Sequence, residues 1–537
     1  MIGIYGYLTL PVIIFLMGWC RWYIGIPAAL VVAASFWLCI REHPCKKGNL
    51  SISANPMKCC IILLIILWWV GMSGIGGYVW QNEDHDWRNA IFDLLVEDSW
   101  PVTDSIAVDG QLQERSLIYY IGFWLPAALV GKLFGLNAGY AVQYVWAVAG
   151  ILLFYALICA WRRKVVIWPL WVIIFFSGAD AVGTLINSQS SLQIFGGYHL
   201  ERWARHYQFS SMTTQLFWVF NQAIPAWLVS AMVFLSEKPR NLIFIWSLIM
   251  VSSTLPFAGL LPFILFFLIS RGEWEKSRNV PQLLKNIWKN WGSFQNVLGG
   301  GAVGLVTLSY LMGNISIGDS PVLSRLLSFW RGNPVLLVIA LVAVLFLLFA
   351  IFWGTAALFL HGKGRYVLNI LRYLFIAGII YTGSFVLLDS YRSDTYAYKL
   401  LFLFTFYMIE AGIYLVCLKN KVHDQVLFWI TAIWLLVIPL IKIGSSLDFC
   451  MRASIPALLL IMLWLIDALD TKERTWKIWI LIGVFLVGSI TPLHELKRTY
   501  VNTRKGYEIH AVEKEDVLQP GNFSGDTYGI FWDWIAR

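Results

Sequence analysis

Residues 81–102, QNEDHDWRNAIFDLLVEDSWPV, gather ionisable side chains directly after a long apolar stretch. Asp84 and Asp86 flank His85, and Arg88 follows. A carboxylate held in such a place can serve as a general base towards a hydroxyl or amine, or as an oxygen ligand to a divalent cation. Beyond Trp87 the apolar residues Ala90, Ile91, Leu94 and Leu95 recur at helical spacing. The stretch therefore predicts a helix lying on a bilayer surface, its acids at the N-terminal end where the helix dipole stabilises anions. The plainer alternative is an acidic N-cap followed by a solvated loop.

A second set follows in residues 176–228. Asp180 sits just beyond an apolar run, and His199, Glu201, Arg202, Trp203, Arg205 and His206 crowd together before Gln208, Asn221 and Gln222. Polar groups beside aromatic rings suit the binding of sugar hydroxyls. The His199-x-Glu201 spacing is too short a pattern to define a zinc site, which needs three or four ligands. Further along, Lys399 and Arg452 each open an apolar run, with Asp394 and Asp448 in the loops just before them. Arg offers a planar fork to a phosphate and Lys a point charge; contact with lipid headgroups is the alternative. Inside the apolar runs ionisable residues are few, with Glu410, Arg372 and Lys442 the clearest.

The elements that must position these residues are membrane helices. Of the 537 residues 59% are hydrophobic, 16% aromatic and only 13% charged, which excludes a soluble domain. The fold class expected is an all-α polytopic membrane protein of about 13–15 transmembrane helices with juxtamembrane helices on one face. Residues 1–491 form the transmembrane domain, with outer loops 81–138 and 179–214, and residues 492–537 form a short outer tail. The stretch 116–134 is read as a surface or re-entrant helix, since a full span there would put the WRRK run at 161–164 outside. With a cytoplasmic N-terminus, the inner loops then hold 21 of the 40 Lys and Arg, while about 22 of the 31 Asp and Glu fall outside. The net charge of +9 is thus mainly topological, and nucleic acid has no place in the reading. The first apolar segment lacks a basic n-region and a small-residue cleavage site and is read as a span. The eight cysteines show no disulfide framework.

The order of parts resembles the GT-C glycosyltransferases, among them the protein O-mannosyltransferases and the lipid A aminoarabinose transferases. The resemblance rests on the acidic motif after an early span, the surface helix, the apolar IYYIGFWLPAALVGKLFGLNAG and a span ending in WRRK. The phrases FSGAD, HLERWA, QLFWVFNQAIPAWL and MRASIPAL also look like those of bacterial membrane proteins of this general type. It covers roughly residues 58–230 and touches 450–460. It implies a GT-C-like bundle in a bacterial cytoplasmic membrane that moves a sugar from a polyprenyl-phosphate-linked donor to a glycan, lipid or protein acceptor on the extracytoplasmic face. The family's acidic motif falls on Asp84 or Asp86, with Asp86 favoured as base because it adjoins the surface helix. The family's acid-x-x-Arg run is not matched, because Arg88 stands two residues after Asp86 and four after Asp84. His85, Arg88, Asp180, His199, Glu201, Arg205, Lys399 and Arg452 are assigned to substrate binding. No cofactor is required, and a Mg or Mn ion on Asp84, Asp86 and Asp180 stays open. A polymerase or ligase of lipid-linked saccharides, or a flippase for them, is the rival expectation.

Overall fold

The structure, a computed structural model, describes residues 1–42, 55–187, 199–204, 207–235, 238–274, 280–314, 396–441, 448–471 and 475–537. The apolar runs at 334–360 and 367–387, and Arg205, lie outside them. The chain is an all-α polytopic membrane protein. Among the described residues seven helical segments are long and apolar enough to cross a membrane: Ile2–Trp19, Trp22–Glu42, Leu136–Trp161, Trp168–Ile186, Met212–Leu235, Asp448–Asp470 and Trp476–Lys505. Shorter apolar helices at Pro56–Gly71, Leu125–Phe134, Thr254–Ser270, Phe402–Leu418 and Gln425–Leu440 pack among them. The helix Leu125–Phe134, at ten residues, is about 15 Å long, half the hydrocarbon thickness, and so does not span on its own.

Helix ends fall on two faces. On one, Arg162 pairs with Asp467 and Asp470, Lys238 donates to Glu42 O, and Arg271 donates to the carbonyls of Val233 and Phe234. The other face carries the segment 72–124 and the residues that follow Lys505. Between them runs the helix Met212–Leu235, wholly buried apart from its last residue. In lipid, such burial reflects close packing and interhelical hydrogen bonds more than escape from water. Trp227 shows both: its ring stacks on Trp69 at 6.0 Å and its indole donates to Gln215 Oε1 at 2.7 Å. This helix is broken at Val219, whose φ of −138° and ψ of 36° are not helical.

A helix is present where one was expected after Gln81, as Glu83–Glu97, with His85, Arg88 to Phe92 and Leu94 to Val96 buried against the rest of the chain. Asn82 caps it, accepting from Asp84 N at 3.1 Å, and Glu83, Asp84 and Asp86 fill its first turn. Beyond it the chain forms an element the hydropathy pattern does not suggest. Strands β1 (Thr103–Val108) and β2 (Gln111–Leu117) make an antiparallel hairpin in the register Thr103↔Ser116 to Val108↔Gln111. Asp109 and Gly110 turn it with φ of 51° and 78°, the conformation of a type I′ turn. The late strand β3 (Ser524–Asp526) pairs with β2, and Lys514 bridges Asp98 and Asp104 at 2.9 and 2.8 Å. The last membrane-length helix runs on to Lys505, so the expected tail boundary at 492 falls inside a helical segment.

Candidate active site

The acidic motif is anchored to the central helix at its break. Asn82 Nδ2 and His85 Nε2 both donate to Phe217 O, at 2.9 and 3.0 Å, two residues before Val219. The imidazole also stacks on Phe220. Burial, aided by the charge of Arg88, pushes His85 down to about 4, so it is a neutral ring whose Nε2 carries the proton. His85 touches no open space and acts as a positioning residue for the helix start.

One helical residue earlier, Asp84 faces a different environment. Arg88, one turn on and buried, donates to Asp84 Oδ2 at 3.0 Å. Arg452, equally buried, pairs with Asp448 Oδ1 at 3.2 Å and lies near enough to act on Asp84. Burial alone would raise the Asp84 carboxyl, but the charges of Arg88 and Arg452 outweigh it and hold it below the usual carboxylate range. Asp84 and Asp448 keep 38% and 29% of their side-chain surface open, so two carboxylates stand at a lip above two buried guanidiniums. The Nε of each arginine is buried without a partner among the described residues. The rings of Tyr119 and Tyr120, 4.2 Å apart, lie within the field of Arg452.

Asp86 turns away from this group. Two residues along a helix rotate a side chain by about 200°. Asp86 accordingly faces the late segment, where its carbonyl accepts from Val512 N at 3.2 Å and His510 and Glu83 are its charged neighbours. Burial and Glu83 raise its carboxyl, against the pull of His510. Asp93, on another side of the helix, accepts from Tyr140 Oη at 2.8 Å, and burial pushes it up to about 6.

The residues assigned from 176–228 form two further groups. His199 Nδ1 donates to Glu495 Oε1 at 2.9 Å, and Glu495 Oε2 accepts from Trp218 Nε1 at 3.0 Å and Arg498 at 2.9 Å. Burial lowers the His199 imidazole, but Glu495 and then Glu201 more than reverse it, so its affinity for a proton is raised. Glu201 is held by Ser211 N at 2.8 Å and Gln208 Nε2 at 3.0 Å. Arg202 reaches Glu83 at 3.5 Å and so joins this group to the acidic helix. Asp180 lies deeper, facing Glu410.

Of the residues expected at a site, Asp84, Arg88 and Arg452 meet, His85 supports them from below, and His199 and Glu201 form an adjacent group. Asp86 and Asp180 stand apart from Asp84: among the described residues no three His, Cys, Asp or Glu side chains gather to hold a metal ion, so these three carboxylates are not one ligand set. Lys399 lies on the helix Tyr396–Tyr407, and its side chain is outside the described residues, as is Arg205. Glu495 and Arg498 were not expected. Their spacing of three on one helix face was legible, but their partners come from nearly 300 residues away.

The fold and this arrangement define a polytopic helical membrane protein with a charged, aromatic-lined site at one face. No protein-family model matches the chain, and no curated protein or solved structure does so either.

Proposed function

We propose that the protein is a membrane glycosyltransferase that moves a sugar from a polyprenyl-phosphate-linked donor to an acceptor hydroxyl or amine, with Asp84 as general base. The observation that carries this reading is the placement of a partly open carboxylate, Asp84, against two buried arginines, Arg88 and Arg452. In the reaction the acceptor oxygen bonds to the anomeric carbon and its proton passes to Asp84. The bond from that carbon to the phosphate oxygen breaks on the opposite side, which inverts configuration. The leaving lipid phosphate gathers negative charge, and Arg452 and Arg88 stand ready to stabilise it. Tyr120, half-buried and backed by the buried ring of Tyr119, offers its ring to the sugar, and Asp448 keeps Arg452 oriented.

In this proposal the site face is extracytoplasmic and the membrane is a bacterial cytoplasmic membrane. The basic residues Arg162, Lys164, Lys238 and Arg271 on the opposite face support that orientation by the positive-inside rule. Cysteine labelling tests it. In a background with Cys45→Ser, Cys59→Ser and Cys60→Ser, the last two being the exposed cysteines among the described residues, Gln113→Cys should react with an impermeant thiol reagent added outside and Lys285→Cys should not. The opposite pattern overturns the orientation.

The activity is tested with purified protein in vesicles containing lipid-linked sugars. Asp84→Asn should lower transfer by about 10²–10⁴-fold, the usual contribution of a general base, while Asp86→Asn stays within a few-fold of the parent. Transfer by Asp84→Asn at the parental rate would sink the assignment. Arg452→Gln should raise the apparent KM for donor more than that for acceptor.

A further inference from the structure

Two buried carboxyl groups, Asp180 and Glu410, have no task in the reaction above. The helical segment Trp168–Ile186 is interrupted: its helix stops at Phe175, residues 176–179 are not helical, and a new helix starts at Asp180. Opposite the break, the segment 402–418 is locally rewound as a π-turn over Met408–Gly412 that carries Glu410. The two irregular stretches are stitched together, Ala179 N donating to Ile409 O at 3.2 Å and Tyr414 Oη to Ser177 O at 3.0 Å. A Cβ on Gly178 would lie 2.7 Å from the Glu410 Cα, so only glycine lets the two backbones approach this closely.

Two carboxyl groups meet at that crossing, each 1% exposed. Asp180 Oδ2 accepts from Ser177 Oγ at 2.9 Å and Thr491 Oγ1 at 3.0 Å. Glu410 Oε1 accepts from Trp203 Nε1 at 2.9 Å. Glu410 Oε2 is buried without a donor among the described residues, and its carboxyl is within hydrogen-bonding reach of Asp180. Two ionised carboxylates cannot share such a place: both are acceptors only, like charges repel, and no cationic side chain pairs with either among the described residues. The other titratable groups that face the pair are Glu201, Tyr414 and Cys450, and none brings a positive charge. A hydrogen nucleus placed between Glu410 Oε2 and Asp180 supplies the missing donor and removes one charge.

We propose that Asp180 and Glu410 together form a binding site for one exchangeable proton in the membrane interior, served from the site face by Glu201 and His199. Glu201 stands between the pair and that face, with His199 Nε2 3.8 Å from its carboxylate. The imidazole is bonded in turn to Glu495, whose partner Arg498 lies 12% exposed at the end of the row. Broken helices that meet at buried acids are how membrane proteins build sites for coupling ions. The pair takes up a proton from water at the face and returns it, and no other bond changes. The inference does not depend on the transferase reading.

Infrared spectroscopy of the full-length protein in lipid nanodiscs, exchanged between H2O and D2O at neutral pH, tests it. The parent should show a protonated-carboxyl C=O band that shifts in D2O. Carboxyl-13C labelling of Glu or of Asp, which needs no variant, should move that band. In Glu410→Gln, whose amide still donates to Asp180, the band should be lost. In Asp180→Asn it should be altered, and this second variant serves if the first does not fold. An absent band, or one unmoved by either label and by both variants, overturns the proposal. Bleaching of the band by sodium at constant pH also overturns it, in favour of a metal cation. Glu201→Gln should keep the band and slow its isotope shift, and an unchanged rate would overturn the route through Glu201.

Discussion

The neutral imidazole of His85 makes a quantitative statement about acid stability. Its pKa is about 4 in the folded protein against an ordinary 6.5, a gap of roughly two and a half pH units. At 1.36 kcal/mol per unit this corresponds to about 3 kcal/mol. Between those two values the unfolded chain binds a proton that the folded chain refuses, so stability rises with pH. The contribution is therefore fully present above pH 6.5 and is lost progressively as the pH falls towards 4. The comparison is with His85→Gln, whose amide can still donate to Phe217 O but does not titrate. Equilibrium unfolding in mixed micelles between pH 7 and pH 4 should show the parent losing about 3 kcal/mol more than the variant across that window. Parallel pH profiles would refute the argument that burial beside Arg88 keeps the ring neutral. The reacting group is spared over the same range. Arg88 and Arg452 hold the Asp84 carboxyl low, so it stays ionised until the pH drops below the ordinary carboxylate range.

Two packing predictions follow from the deeper groups. Glu495→Gln removes the partner of His199 and Arg498 in a buried setting and should destabilise the fold by about 3–5 kcal/mol, read by the same unfolding measurement. A loss below about 1 kcal/mol would mean that water replaces the carboxylate there. Gly178→Ala pushes a methyl group against the backbone of Glu410 and should cost at least about 1–3 kcal/mol, whereas Gly110→Ala at the hairpin turn meets no neighbouring atom and is opposed only by its positive φ. Equal stability of Gly178→Ala and the parent would refute the close approach.

The helical class and the start of the helix at Glu83 were legible because lipid allows few solutions, since apolar runs must close their own backbone hydrogen bonds, and because an Asn cap precedes a run of acids. The site was half legible. The choice between Asp84 and Asp86 depends on which side of a helix faces the protein, and the spacing to Arg88 contained the clue. Four residues bring Asp84 and Arg88 to the same helix face, while two set Asp86 and Arg88 on different sides. The hairpin went unnoticed because hydropathy marks it only as polar, although Asp109-Gly110 is a strong turn signal. What no local pattern carries is contact across the chain. His199 finds Glu495, Asp180 finds Glu410, and Asn82 finds Phe217 through the packing of distant helices.

The last strand also has a bearing on how the molecule is made. Residues 524–526 complete the small sheet, and residues 535–537 bond to Trp19 and Arg21, more than 500 positions earlier. During synthesis the first two helices leave the ribosome long before these partners exist, and β2 waits with an open edge. Closure of the hairpin edge and of the turn after Trp19 therefore waits until those distant residues have been made and have reached the face that carries Asp84. A nascent chain halted before residue 524 should hold its membrane helices in place yet leave the sheet edge accessible to protease, with closure arriving only on release of the segment that follows.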